Sequence, residues 1–371
     1  VKLKRPLAGF AATLAAGASL ALAGCGTDNN SGSSTDAGSS AGTSKISCAS
    51  GSLAAQGSTA QKNAMDEWIK AYQQACSGAQ IDYQGTGSGA GQQAFISGTA
   101  DFAGSDSALK PEDQPKADAH CKTGKAIHLP MVVGPIAVAY NLQGVKDLQL
   151  KPDTIAGIFA GKITKWDDAA IKADNPNASL PSTPILAVHR ADSSGTTDNF
   201  TKYLSKSAPS TWTFENAKEW KAPGGQAEKG SDGVSAAITK TPGAIGYVEW
   251  SFAQVNNLSV AKVQNGAGEF AELTGEAAGK TIASAEQAGT GNDLKLKIDY
   301  TTKAPGAYPI VLVTYEIACE KGTPSDKLGL VKSFLTYTSS TDGQAAVTKL
   351  GYAPLPEEVR SKVAQAVNSL G

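Results

Sequence analysis

From residue 46 onward, short apolar runs alternate with stretches in which apolar residues recur every three or four positions. That alternation predicts an α/β architecture. Residues 46–53 (ISCASGSL) predict a first strand, and residues 60–76 place Met65, Trp68, Ile69 and Tyr72 on one helical face. A strand at 80–84 (QIDYQ), a glycine-rich loop at 85–91 (GTGSGAG) and a short helix at 91–98 (GQQAFISG) follow. Residues 101–106 (DFAGSD) read as a strand running into a loop. Residues 126–141 (AIHLPMVVGPIAVAYN) are rich in β-branched side chains, and Gly134-Pro135 predicts a break into two strands.

Further on, 152–174 predict short helices around a Lys-Trp-Asp-Asp turn, and 184–189 and 242–250 (PGAIGYVEW) predict strands. Residues 308–319 (YPIVLVTYEIAC) return to dense β character before a helical region from about 324 to 370. A strand so apolar needs cover on both faces, so it is expected to complete the sheet of the first domain. The chain then crosses between two domains near Met131–Gly134 and again near Tyr308–Ile310, which makes a hinge. The expected lobes are 46–132 plus 309–371, and 133–308.

The first 25 residues break this pattern. Lys2, Lys4 and Arg5 precede an Ala/Leu-rich run that ends in Leu22-Ala23-Gly24-Cys25, the layout of an export signal. Leu-Ala-Gly-Cys resembles a bacterial lipobox, which implies that Cys25 is lipidated and becomes the mature N-terminus. Residues 26–45 carry Ser, Gly, Thr and Asn and almost nothing that could be buried, so they predict a disordered linker. A chain of that length reaches roughly 25 Å.

Charge excludes one class of partner: 33 Lys plus Arg against 34 Asp plus Glu gives no basic footprint for nucleic acid. Four cysteines remain after Cys25, and export permits disulfides. Of the three possible pairings, Cys48–Cys76 with Cys121–Cys319 is favoured, because Cys48 leads the first strand and Cys76 ends the following helix. No C-x-x-C or His/Asp cluster suggests a metal, and no motif calls for a cofactor.

Three strand-to-helix junctions share a chemistry: Gly57-Ser58-Thr59, Gly85-Thr86-Gly87-Ser88-Gly89 and Ser193-Ser194-Gly195-Thr196. A helix start leaves about four backbone N–H groups unpaired and carries partial positive charge. Hydroxyls there cap the helix, and glycine lets a ligand reach the backbone. One such mouth is ordinary capping; three together point to an anion. Arg190 adds a planar fork suited to a tetrahedral oxyanion, with Asp192 two residues on to orient it. Asp106, at a strand end where α/β proteins commonly bind ligands, repels an anion unless that anion carries a proton to donate. Phosphate does at neutral pH and sulfate does not.

Together these motifs resemble the substrate-binding lipoproteins of bacterial phosphate-specific ABC transporters: GST at 57–59, YQGTGSGAG at 83–91, DFAGSD at 101–106, GKITKWDD at 161–168, RADSSGT at 190–196 and PGAIGYVE at 242–249. The resemblance implies a two-lobed periplasmic-binding-protein fold (type II-like) that takes inorganic phosphate into the cleft and presents it to membrane permease subunits, without turnover. It implies contacts from Thr59, the Ala60 N–H, Ser88, Asp106, Arg190, Ser194, Gly195 and Thr196, with Asp192 orienting Arg190, and a lipid anchor on the extracytoplasmic face of the cell membrane. Ala60 stands where the family often has an aromatic residue; a backbone contact survives that change. Ser193 stands where glycine is common.

Three other readings were open to the sequence. GTGSGA partly matches a dinucleotide fingerprint, but Ala90 occupies the last glycine position. A hydrolase or phosphatase lacks a G-x-S-x-G elbow, and His189 is expected to pack at a strand end. A binding protein for sulfate, molybdate or a phosphonate is opposed by the Asp106 argument.

Overall fold

The structure is a computed structural model that describes residues 46–371. The leader 1–25, the lipidation residue Cys25 and the linker 26–45 lie outside the described residues. Nine strands form one sheet: β1 Gly51–Gly57, β2 Ala79–Gly85, β3 Phe102–Ser105, β4 Ala126–Tyr140, β5 Leu186–Arg190, β6 Gln226–Glu228, β7 Ala244–Glu249, β8 Ser259–Val260 and β9 Val311–Cys319. Helices α1 Lys62–Ala75, α2 Ser88–Ile96, α3 Gln114–His120, α4 Pro152–Phe159, α5 Ala169–Asp174 and α6 Gly195–Ser207 occur before β6. Then come α7 Gly230–Lys240, α8 Trp250–Val255, α9 Gly275–Ala283, α10 Ser325–Ser339, α11 Thr341–Thr348 and α12 Glu357–Ser369.

The strand order is β2-β1-β3-β9-β4-β7-β5-β6, with β8 also paired to β4. β1 runs parallel to β2 and β3, and β5 runs parallel to β6 and β7. Between these two parallel groups stand β9 and β4, antiparallel to each other and to their outer neighbours β3 and β7. Every residue of β4 and β9 is buried, which is why both read as unbroken apolar runs rather than alternating ones.

The expected break at Gly134-Pro135 does not occur: β4 is one strand of 15 residues. Its partner changes there instead. Residues 126–135 pair with β9 as far as Pro135↔Val311, and Ile136–Tyr140 pair with β7. A proline lacks the ladder N–H, and at the boundary between two ladders that gap interrupts neither in mid-course. Gly134 leaves room for close approach, since a Cβ there would sit 2.9 Å from Leu312 Cδ1 and 3.0 Å from Glu249 Cγ. The first strand also differs, starting at Gly51 rather than 46, because its parallel partner begins at Ala79 and the ladder opens with Gly51↔Ala79.

Two large cores flank the β4–β9 crossing. One gathers Leu53, Trp68, Tyr72, Phe102, Val313, Phe334 and Val363 under α1, α10 and α12. The other gathers Tyr140, Phe159, Trp166, Phe200, Tyr203 and Tyr247 around α4 and α6. Burying each large apolar side chain contributes about 1.5–3 kcal/mol, so each core holds its own half of the sheet. The crossing itself is tied by Ile136 N–H to Ile310 O at 2.8 Å and Tyr308 Oη–H to Ile136 O at 2.7 Å. The disulfides are Cys48–Cys76 and Cys121–Cys319, the favoured pairing. No helix among the described residues is long and apolar enough to cross a membrane.

Candidate functional site

Each strand-to-helix mouth is shaped by a glycine. Gly57, at the end of β1, has φ 147°, and a Cβ there would lie 1.9 Å from Gly104 O. The chain then turns through Ser58–Gln61 into α1, whose N-terminus has no side-chain cap. Gly87, with φ 95°, precedes α2, which is also uncapped and starts at Ser88 rather than at residue 91. α6 differs, because Ser194 caps it by accepting from Thr197 N–H.

All three mouths converge on Asp106, a buried residue just beyond β3. Its Oδ1 accepts from Ser58 Oγ at 2.5 Å and from Thr314 Oγ1 at 2.8 Å. Its Oδ2 has only longer contacts, Thr196 Oγ1 at 3.3 Å and Ser88 Oγ at 3.4 Å. The four hydroxyls come from the first mouth, β9, the third mouth and the second mouth. Burial pushes the Asp106 carboxyl above its ordinary range, against the hydrogen bonds from Ser58, Thr314 and Thr196 and the charge of Arg190. Asn199, on α6, donates to Asp106 O at 2.7 Å and to Gly195 O at 2.8 Å.

Arg190, at the end of β5, is almost fully buried. Its Nε donates to Asp192 Oδ1 at 2.7 Å and its Nη2 to Asp192 Oδ2 at 2.5 Å. Gly230 N–H, at the start of α7, adds a third donor to Asp192 Oδ1 at 3.0 Å. Burial raises the Asp192 carboxyl, but the Arg190 hydrogen bonds and charge, with Gly230, outweigh it and hold the carboxyl below its ordinary value. The backbone N–H of Arg190 donates to Tyr247 Oη at 3.1 Å, which also shares a proton with Thr197 Oγ1 at 2.6 Å. Counting Arg190, Asp192 and Asp106, the cluster has no net positive charge. Any attraction for an anion there comes from aimed N–H and O–H dipoles.

The two halves of the site touch. Gly89 N–H donates to Ser193 O at 3.0 Å, Ser107 Oγ to Asp198 Oδ2 at 2.5 Å, and Lys218 Nζ to Gln92 Oε1. Thr59 Oγ1 lies 3.0 Å from Ser231 Oγ and accepts from Ser231 N–H at 3.2 Å. Ala60 is fully buried; its N–H donates to Ser58 Oγ and its carbonyl accepts from Tyr352 Oη. A Cβ on Gly195 would fall 2.5 Å from Ser88 Oγ and 2.6 Å from Asp106 Cβ. The facing surfaces are therefore in van der Waals contact at that point.

Ser88, Asp106, Thr196 and Gly195 thus stand together, Arg190 is paired with Asp192, the Ala60 N–H joins Asp106 through Ser58 Oγ, and Thr59 meets Ser231 at the start of α7. Sequence reasoning missed Ser58 as an individual contact, and it missed Thr314, Gly230 and Ser231. Thr314 is a lone hydroxyl in an apolar strand and carries no local signal. Lys229-Gly230-Ser231 has the same Gly-Ser chemistry at a strand-to-helix mouth and was legible. His189 packs flat on Trp220, with ring centroids 4.8 Å apart.

Two cores joined by two buried crossing strands, with helix N-termini and one arginine facing a buried carboxyl between them, define a two-lobed substrate-binding protein. Residues 39–342 match the PBP superfamily domain. The chain is 43% identical over 363 residues to "Phosphate-binding protein PstS 3" of Mycobacterium tuberculosis, covering 96% of each chain. It is 40% identical over 373 residues to "Phosphate-binding protein PstS 2" of the same organism, covering 99% of this chain and 100% of that one. The chain belongs to this family of PstS phosphate-binding proteins within the PBP superfamily. In fold it is also similar to the solved structure of PfluDING, a high affinity periplasmic phosphate-binding protein bound with phosphate, with a TM-score of 0.68 at 22% identity over 85% of this chain and 93% of that one.

Proposed function

We propose that the protein binds one inorganic phosphate outside the cytoplasmic membrane and delivers it to an ABC-type phosphate importer, without turnover. Thr59, the Ala60 N–H, Ser88, Asp106, Arg190, Ser194, Gly195 and Thr196 form the binding set, and Asp192 orients Arg190. The lobes are 46–132 plus 309–371, and 133–308, and they close on the anion about the β4–β9 crossing. Cys25 carries the lipid anchor, and the closed form is what the permease subunits recognise.

The observation that carries this reading is the asymmetry of Asp106. Hydroxyl donors at short distance occupy Oδ1, while Oδ2 has only long contacts and is the oxygen left for a ligand hydrogen. Arg190, with its Nε hydrogen and one Nη2 hydrogen on Asp192, keeps its Nη1 hydrogens and the second Nη2 hydrogen for ligand oxygens. Monohydrogen phosphate supplies both a proton and an oxygen. Sulfate supplies no proton and leaves a buried carboxylate facing an anion, a mismatch of about 1–3 kcal/mol or more.

Isothermal titration of residues 46–371 with phosphate, sulfate and arsenate tests the reading. We expect tight phosphate binding, sulfate weaker by roughly two orders of magnitude or more, and a clear loss of that ratio in Asp106→Asn. Equal affinities for phosphate and sulfate, or an unchanged ratio in Asp106→Asn, would remove Asp106 as the proton acceptor.

A further inference from the structure

α6 carries an asparagine where a helix has little use for one. Asn199 stands in the second turn, past the capping residue Ser194, and an asparagine inside a helix favours it less than alanine does. The residue is buried, and every polar atom of its side chain is engaged. Nδ2 donates to Asp106 O at 2.7 Å and to Gly195 O at 2.8 Å, and Oδ1 accepts from Tyr300 Oη–H at 2.6 Å. Burial, with the charge of Asp198 and with Tyr315, pushes the Tyr300 hydroxyl well above its ordinary range, so it stays a donor.

Those three bonds fix which way the amide faces. A primary amide offers two N–H hydrogens and one acceptor oxygen. The carbonyl oxygens of Asp106 and Gly195 can only accept. Turned over, Asn199 would set its own Oδ1 against both of them in a buried place, which is costly. The neighbours therefore define a single orientation.

The bonds join the two halves of the molecule. β3, which leads into Asp106, places Phe102 in the first core, while α6 places Phe200, Tyr203 and Leu204 in the second. The Asp106 backbone is also held at its other end, where its N–H donates to Ser88 Oγ at 3.1 Å. The proton-accepting acid is thus pinned by the second mouth on one side and by α6 on the other. Gly195, whose carbonyl takes the second amide hydrogen, precedes Thr196, and Thr196 Oγ1 lies 3.3 Å from Asp106 Oδ2. One amide sets the acid against the helix mouth that faces it. The neighbouring bond, Ser107 Oγ–H to Asp198 Oδ2 at 2.5 Å, ties the same two segments and needs nothing from Asn199. Losing the amide therefore loosens Asp106 without parting the segments.

We propose that Asn199 is a positioning residue for the anion site. It holds the Asp106 backbone against the first turn of α6, so that Oδ2 meets the hydrogen of the anion while the donors of α6 meet its oxygens. This role presupposes the phosphate reading given above. Asn199 has no hydrogen left for the anion, so its effect falls on discrimination rather than on attraction. Loosening Asp106 misdirects the one contact that phosphate makes and sulfate does not, and phosphate loses more than sulfate.

The test compares wild type with Asn199→Ala, Asn199→Leu and Tyr300→Phe. Phosphate affinity is measured by titration, sulfate affinity by competition with phosphate, and folding by melting curves without ligand. A cavity of about 370 Å³ borders Asn199, Asp106 and Tyr300, so water can reach Asp106 O once the amide is gone, and the variants are expected to fold. Asn199→Ala should bind phosphate roughly tenfold more weakly, with the phosphate-to-sulfate ratio falling at least about threefold. Asn199→Leu fills the space without donors and should lose the ratio as alanine does. Tyr300→Phe keeps the packing but leaves Asn199 Oδ1 without a donor, and should shift the ratio the same way by a smaller factor. Equal losses for the two anions in Asn199→Ala, which a merely structural residue would give, would overturn the proposal. A leucine variant with the wild-type ratio would do the same, since packing alone would then suffice. Should neither Asn199 variant fold, Tyr300→Phe decides, and a wild-type ratio there counts against the role. If wild type binds no phosphate, the proposed function fails and this role falls with it; phosphate binding with an unchanged ratio removes the role of Asn199 alone.

Discussion

Asp192 does its work through another side chain. A surface Arg–Asp pair contributes at most about 1 kcal/mol. Here both partners are largely buried, and the carboxylate takes two guanidinium hydrogens and one backbone hydrogen. Removing it leaves Arg190 free to turn and strips Gly230 N–H of its acceptor. Asp192→Ala is expected to weaken phosphate binding about tenfold or more, measured by calorimetry. An affinity within twofold of wild type would show that Arg190 needs no such partner. The pair was legible from spacing alone, because Arg190 and Asp192 are two residues apart in one strand-end loop. Thr314 was not, since what makes it a donor to Asp106 is register across three strands.

Helix starts carry the site, and glycine decides how near they come to one another. At Gly195 the first residue of α6 faces Ser88 and Asp106 at distances that a Cβ would reduce to 2.5 and 2.6 Å. Gly195→Ala should therefore hold the two faces apart and lower phosphate affinity at least about tenfold. Its melting temperature without ligand should not rise, because the added Cβ at the first position of α6 meets Ser88 and Asp106 and strains the contacts that join the two faces. Wild-type affinity in this variant would mean that the observed contact is not needed for binding. The mouths were readable because Gly, Ser and Thr cluster at each one. The extent of β4 was not, since Gly-Pro is an ordinary turn signal. Only the change of ladder partner at Pro135 explains why the strand runs through it.

At the scale of the whole molecule, two cores share one sheet and communicate through β4 and β9. The α/β alternation and the return of a late apolar strand to the first core follow from hydrophobic patterning, because strands buried on both faces must be continuously apolar. The depth at which Asp106, Glu316 and Glu249 are buried does not follow from it. Glu249 is pushed up to about 8 by burial, against hydrogen bonds from Ser251 and Tyr352; in the sequence it reads as an ordinary strand-end acid. The most direct measurement is a crystal structure of the protein with phosphate bound. We predict one phosphate between the lobes, with its hydrogen on Asp106 Oδ2, an oxygen on Arg190 Nη1, and Ser88, Ser194 and Thr196 within hydrogen-bonding distance. Phosphate bound elsewhere, or facing Asp106 without a short contact to it, would contradict the account.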